Sequence, residues 1–249
     1  MRLALLMTNT DESEFARRHP KDGEKFRRLL SGVRPDWALE VFPVKDDVFP
    51  DDLGRFDGVM IGGSPASVHD ASPWIDRLQA LIREIIDRDI PLFGACFGHQ
   101  AIALALGGEV GDSPDGWALG AVTTEVTDPL PWMEPRVTAI RLHAAHTEQV
   151  LRLPESARRW GHAGGCEIAG FVIGERVFTT QYHPEITAAF MAALLDELDA
   201  TGKAPATALA EGRASLSEPA RSDLFAQWIA RFFEHACTLS QRPPADPSP

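Results

Sequence analysis

Ile90-Pro91-Leu92-Phe93-Gly94-Ala95-Cys96-Phe97-Gly98-His99-Gln100 decides how this chain folds. An apolar run of strand length, residues 90–93, meets a Gly-X-Cys-X-Gly turn, and residues 100–106 continue as a helix that Gly107-Gly108 stops. A strand that turns sharply into a helix is how an α/β sheet presents a nucleophile at its edge. Gly94 and Gly98 permit unusual backbone angles there and leave no side chain over the sulfur. The helix behind the turn aims its free N–H groups and positive dipole end at the thiol, which favours thiolate.

Upstream of that turn, residues 3–8, 37–43 and 58–61 read as strands. Residues 74–87 form an amphipathic helix with Ile75, Leu78, Leu81, Ile82 and Ile85 on one face. Alternating strands and helices predict a mostly parallel α/β sheet with helices on both faces. From residue 109 to 181 the helical period disappears. Residues 117–126, 136–143, 158–163, 166–173 and 176–180 read as strands of an antiparallel extension, and residues 186–198 as a helix. One α/β domain over residues 1–200 is therefore expected, with a helical extension packed on it over residues 201–240. That extension reads as a loop followed by a helix around 222–235, whose stripe of Leu224, Trp228, Ile229, Phe232 and Phe233 packs inward. Residues 241–249 are Pro-rich and polar, the composition of a disordered tail.

Composition narrows the function classes. The net charge of −12 speaks against a nucleic-acid surface, which needs clustered Lys and Arg, and against docking on an anionic membrane. Met1 to Met7 is too short for a signal peptide and is cut off by Thr8-Asn9-Thr10-Asp11-Glu12, so it reads as a first buried strand. No run approaches the ~18 apolar residues of a membrane span. The three cysteines, Cys96, Cys166 and Cys237, are odd in number and far apart, so neither a disulfide framework nor a CxxC metal site follows. A reducing cytoplasm is the expected compartment.

The chemistry concentrates at two places. The N–H of Phe97, first after the nucleophile, would face an oxyanion on the attacked carbon. Gly62-Gly63-Ser64-Pro65 ends another strand at the same carboxyl edge, so the N–H of Gly63 or Ser64 is the candidate second donor. Far downstream, Gln181-Tyr182-His183-Pro184-Glu185 follows a strand-like run and offers an imidazole with a carboxylate two residues on. Pro184 stiffens the exit, and Glu185 is placed to fix the ring tautomer and stabilise imidazolium. A Cys96–His183–Glu185 triad is the most economical reading. His143 and His146, three apart, could share a helix face, but no third ligand completes a metal set.

Together, the segments 94–100 and 181–185 resemble the class I, or triad, glutamine amidotransferase family. Within it, the chain is most similar to stand-alone relatives of the glutaminase domain of GMP synthase, over roughly residues 1–200. The resemblance implies a flavodoxin-like sheet, Cys96 as nucleophile, His183 as general base and acid, and Glu185 as its orienter. It also implies that Gln100 helps hold a substrate glutamine and that the 62–65 turn supplies an oxyanion N–H. Ser64 stands where the family often has a second glycine, a change that keeps the backbone donor. Leu142-His143-Ala144-Ala145-His146-Thr147-Glu148-Gln149-Val150 resembles the family's Ser-His-x-Asp-x-Val segment, with Ala145 for the serine and Glu148 for the acid. That likeness places His146 and Glu148 beside the substrate's amino-acid end.

The implied reaction is hydrolysis of the glutamine γ-carboxamide through a γ-glutamyl thioester, with release of ammonia and no metal or organic cofactor. The chain has no phosphate-binding Gly-x-x-x-x-Gly-Lys-Ser/Thr stretch and little length after residue 200 for a synthetase. Either the ammonia passes to a separate synthetase subunit, or the enzyme works alone on γ-glutamyl compounds as a peptidase or hydrolase. A catalytically silent binding protein of the same fold is the third possibility. Phe97, at a position usually held by a smaller residue, is expected to reshape the pocket.

Overall fold

Leu3, Ala4, Leu5 and Leu6 are all fully buried in the first strand, the mark of a strand covered on both faces. In the computed structural model, which describes residues 1–240, the chain runs β1 (Arg2–Met7), α1 (Glu14–Arg18), α2 (Asp22–Ser31), β2 (Ala38–Pro43), β3 (Gly58–Ile61), α3 (Pro73–Asp87), β4 (Leu92–Ala95) and α4 (Phe97–Ala105). It continues through β5 (Glu109–Asp112), β6 (Ala118–Val126), β7 (Ala139–His146), β8 (Glu148–Arg152), β9 (Ala157–Ala163), β10 (Cys166–Ile173) and β11 (Val177–Thr180). Three helices close it, α5 (Ala188–Ala200), α6 (Ala206–Ser215) and α7 (Ser222–Ser240). The tail expected to be disordered, residues 241–249, lies outside the described residues.

Nine strands form one sheet in the order β2-β1-β3-β4-β11-β10-β9-β6-β7. β2, β1, β3, β4 and β11 pair in parallel, and β10, β9, β6 and β7 continue the sheet antiparallel. The α/β class and the antiparallel extension are those the sequence predicts. Successive residues of each parallel strand feed opposite cores, as the two-residue period requires. Leu3, Leu5, Met60, Phe93 and Phe178 meet Phe26 and Leu30 of α2 and the apolar stripe of α7. Ala4, Leu6, Val59, Ile61, Leu92 and Val177 meet Ile75, Leu78, Ile82 and Ile85 of α3 and Ala101 and Ile102 of α4. Among the described residues, no helix is long and apolar enough to cross a membrane.

Four differences from the sequence reading matter. First, α4 begins at Phe97, directly behind Cys96, instead of at residue 100. Second, the strand read at 136–143 is β7, about three residues later: Ile140, Leu142, Ala144 and His146 are its inward side, and it pairs with β6 from Ala139↔Glu125 to His146↔Ala118. Third, β5 and β8 pair antiparallel in a separate two-stranded sheet that neither segment's pattern announces. Fourth, the stretch after residue 201 holds α6, not only a loop. Its Ala-rich sequence favours helix but carries no apolar stripe, and only Leu209 and Gly212 are buried. Tertiary contacts define it: Ser215 Oγ accepts from the Ala121 N–H at 2.7 Å, and Arg141 Nη2 donates to the Ser215 carbonyl at 2.7 Å.

α7 is part of the main core. Phe225 is fully buried and stacks on Phe178 of β11 with ring centroids 5.5 Å apart. Trp228, Ile229, Phe232 and Phe233 are fully buried in the same cluster. Phe225→Ala is therefore expected to lower the unfolding free energy by about 3–5 kcal/mol in urea titration. A loss under about 1 kcal/mol would mean that α7 does not share the sheet's core.

Candidate active site

The turn after β4 holds Cys96 at φ 51° and ψ −107°, a conformation that costs an L-residue energy and persists only where its surroundings enforce it. Three backbone hydrogen bonds do so here. The Cys96 N–H donates to the Thr180 carbonyl at 2.9 Å, the Gly98 N–H to the Gly62 carbonyl at 3.1 Å, and the Gln100 N–H to the Cys96 carbonyl at 3.0 Å. Gly98 is required by close approach: a Cβ there would lie 2.4 Å from the Ile61 carbonyl oxygen. The N-terminus of α4 is thus pressed onto the end of β3, directly beneath the sulfur.

The Phe97 N–H, at the first position of α4, has no hydrogen-bond partner among the described residues. Its side chain does not reshape a pocket as expected. It is fully buried in the α3–α4 core with its ring 5.6 Å from that of Trp74, because the first residue of the helix faces away from the turn.

The Gly62–Ser64 turn stands opposite. Thr8, at the end of β1, donates its hydroxyl between the Gly62 carbonyl (3.1 Å) and the Gly63 carbonyl (3.0 Å). A trans peptide directs its N–H away from its C=O, so this contact sets which way the N–H groups of Gly63 and Ser64 point. A Cβ on Gly63 would meet His183 Cε1 at 2.5 Å and Cys96 Cβ at 3.6 Å. Only glycine fits between the turn and the two side chains.

His183 reaches Cys96 from the segment after β11. Its N–H donates to the His143 carbonyl at 2.8 Å and its Nδ1 donates to Glu185 Oε1 at 2.7 Å, while Cys96 lies near enough to act electrostatically on the ring. Burial opposes charge on this ring. The neighbouring Cys96 and Glu185 outweigh it and hold the imidazole pKa well above its ordinary value. All three side chains are nearly buried. Cys166, by contrast, is pushed up to about 11 by burial, which keeps it a thiol.

A polar chain leads from the sulfur toward β8. Gln181 Nε2 lies 3.9 Å from Cys96 Sγ, Gln100 Nε2 lies 3.4 Å from Gln181 Oε1, and it donates to the Glu148 carbonyl at 2.7 Å. The Glu148 carboxylate accepts from Ser67 Oγ at 2.9 Å. Thr8, Gln181 and Ser67 carry no role in the sequence reading. Thr8 is the polar residue that closes an apolar strand at the sheet's carboxyl edge, and that signal could have marked it.

His146 lies beyond this chain, in a cavity of about 190 Å³ that Tyr182, Trp117, Gln149 and Cys166 help to line and that neither Cys96 nor His183 borders. Both of its ring nitrogens are buried without a partner among the described residues, and burial first, then the charge of His183, lowers its pKa to about 3. His143 and His146 do not share a helix face. They lie on strand β7, where positions three apart point to opposite sides, and His143 Nδ1 is paired with the Ile186 carbonyl at 2.9 Å. Among the described residues, no cluster of three or more His, Cys, Asp or Glu could hold a metal ion.

The chain is similar to known proteins in sequence and in fold. The family model for glutamine amidotransferase class-I matches residues 31–195. The chain is 29% identical to γ-glutamyl peptidase 4 of Arabidopsis thaliana over 237 residues, 92% of this chain and 94% of that protein. It is 32% identical to the glutamine-hydrolysing GMP synthase of Aeropyrum pernix over 148 residues, 59% of this chain and 28% of that longer protein. A solved glutamine amidotransferase from Thermotoga maritima shares the fold with a TM-score of 0.72 at 22% identity, over 94% of this chain and 98% of that structure.

The buried histidines make the fold acid-sensitive. His99, fully buried on Thr179, has its pKa lowered from 6.5 to about 3, chiefly by burial, and His146 behaves alike. Between pH 6.5 and 3 the unfolded chain binds protons that the folded chain refuses, so stability falls as pH falls. Each histidine is expected to remove roughly 1–2 kcal/mol between pH 6.5 and 5. Urea unfolding across that range checks this, and a flat profile would contradict neutral burial of both rings.

Proposed function

The chain belongs to the class I glutamine amidotransferase family, and on that premise we propose that it is a cysteine-dependent hydrolase of γ-glutamyl amides. One observation carries the reading: a buried imidazole holds the Glu185 carboxylate at 2.7 Å and stands with Cys96 against the same glycine, Gly63. A raised imidazole pKa next to a thiol favours transfer of the thiol proton to His183, leaving a nucleophilic thiolate.

That thiolate attacks the γ-carbonyl carbon and an S–C bond forms. The developing O⁻ is met by the N–H of Phe97 and by that of Gly63 or Ser64, where one lost donor of this kind costs about 100- to 1000-fold in rate. His183 passes its proton to the leaving nitrogen as the C–N bond breaks, and a γ-glutamyl thioester remains. A water deprotonated by the same ring then attacks the thioester; glutamate leaves and the thiol is restored. Glu185 holds the ring in the tautomer that keeps Nδ1 protonated. Gln100 and Glu148 hold the amino-acid end of the substrate, and His146 supports that wall from behind.

Glutamine is the simplest substrate, with ammonia as the leaving group, handed on to a separate synthetase subunit. γ-Glutamyl peptides are the second reading, and the end-to-end similarity to a γ-glutamyl peptidase favours them over a free-standing ammonia source. A glutamine-analogue diazo-ketone is expected to label Cys96 at pH 7 to 8. Cys96→Ser is expected to lose at least about 1000-fold in turnover of glutamine and of γ-glutamyl dipeptides alike. A folded protein that neither labels nor turns over any γ-glutamyl compound would leave only a silent binding protein. Thr8→Val, which keeps the side chain's shape, is expected to lower kcat by roughly 10-fold with little change in KM, since it frees the turn that carries a transition-state donor.

A further inference from the structure

A second cavity, of about 210 Å³, opens at the carboxyl edge of β1, and nothing in the reaction described above uses it. Met7 and Asn9 border it. Between them Thr8 bonds the Gly62 and Gly63 carbonyls, and Gly63 abuts both His183 and Cys96. The polar chain through Gln181, Gln100 and Glu148 leaves the sulfur toward β8. In the sheet, β1 and β3 lie on one side of β4 and the antiparallel strands on the other. The contacts through Gly63 and Thr8 thus join the reacting sulfur's surroundings to the rim of this cavity.

The walls of this cavity are chemically specific. Phe15, His19 and Phe190 form an aromatic corner, with ring centroids 4.5–5.7 Å apart. Facing it are two lysines whose side chains are unusually buried, Lys25 at 11% and Lys45 at 13% exposure. Lys25 Nζ lies 3.8 Å from the Phe190 ring centre and pairs with Asp22 at 2.9 Å. Lys45 Nζ pairs with Glu12 and Asp46, each at 2.8 Å, and these bonds raise its pKa. An ammonium offers three donors, so each keeps at least one for a further acceptor. With Arg17 and Lys21 added, the lining is more cationic than anionic in a chain of net charge −12.

We propose that this cavity is the leaving-group subsite, and that it selects γ-glutamyl peptides by binding the α-carboxylate of the departing amino acid to Lys25 and Lys45 with its side chain against the aromatic corner. The inference rests on the hydrolase reading of Cys96 and sharpens its substrate class. The chemistry is unchanged: the C–N bond breaks, His183 supplies the proton to the departing nitrogen, and an amino acid leaves in place of ammonia. Ammonia has nothing to occupy the cavity, whereas an amino acid with a free carboxylate fills it and meets the lysines.

The test compares γ-glutamyl-leucine with its C-terminal amide, a pair that differs only in the charged group, with glutamine alongside. On the unaltered protein, kcat/KM for the free acid is expected to exceed that for the amide by roughly 10- to 100-fold. That ratio is expected to fall toward one in Lys25→Met and in Lys45→Met, and to survive in Lys25→Arg. Equal use of acid and amide by the unaltered protein, which needs no variant to fold, overturns the subsite while leaving γ-glutamyl hydrolysis intact. An acid-to-amide ratio that persists in both methionine variants overturns the assignment to these lysines. Absence of turnover with all three compounds overturns the subsite together with the reading on which it rests.

Discussion

The parallel pairing of β4 with β11 is the constraint on which everything at this site depends. In register, Gly94 lies beside Thr179 and Ala95 beside Thr180. The next residue on one strand is Cys96, and its N–H closes on the Thr180 carbonyl. Three residues beyond Thr180 on the other strand comes His183. Ladder hydrogen bonds, not side-chain attraction, thus deliver a thiol and an imidazole to one point. A shift of one residue would move every side chain of the strand from one core to the other, and the packing of Phe93 and Phe178 in one core and Leu92 and Val177 in the other forbids it.

A second constraint is close approach. The site is crowded by backbone: Gly98 against the Ile61 carbonyl, Gly63 against His183 and Cys96, and Thr8 holding the Gly62 and Gly63 carbonyls. Each contact removes a freedom that a solvated loop would keep. In the proposed reaction, the donors for a developing negative charge are then rigid before substrate arrives, which is where electrostatic catalysis has its greatest effect. The unusual backbone angles of Cys96 belong to the same economy, since strain persists where packing over-determines it.

Charge is handled by placement. His99, His143 and His146 are buried and held neutral by burial, while His183, equally buried, is driven the other way by Cys96 and Glu185. Of these four buried imidazoles, one is poised to hold a proton. On the far side of the turn, Lys25 and Lys45 keep positive charge beside an otherwise acidic molecule.

Much of this was legible from residues alone. The strand–Gly-X-Cys-X-Gly–helix stretch, the Gly-Gly-Ser turn and the His-Pro-Glu segment announce their elements through local backbone chemistry, and alternation of strand and helix announces the parallel sheet. Local signals of that kind need no distant partner. What stayed hidden depends on contacts far apart in the chain. α6 has no apolar face of its own and is recognised only against β6. Thr8 matters because β1 lies beside β3. His146 points into a cavity because β7 starts three residues later than its pattern suggests, and Phe97 turns into the core because the helix begins one residue after the sulfur. The sequence determined which groups could react and where the chain must turn. Tertiary structure alone decided which of them meet, because register and packing are set by the burial of whole faces and not by any single motif.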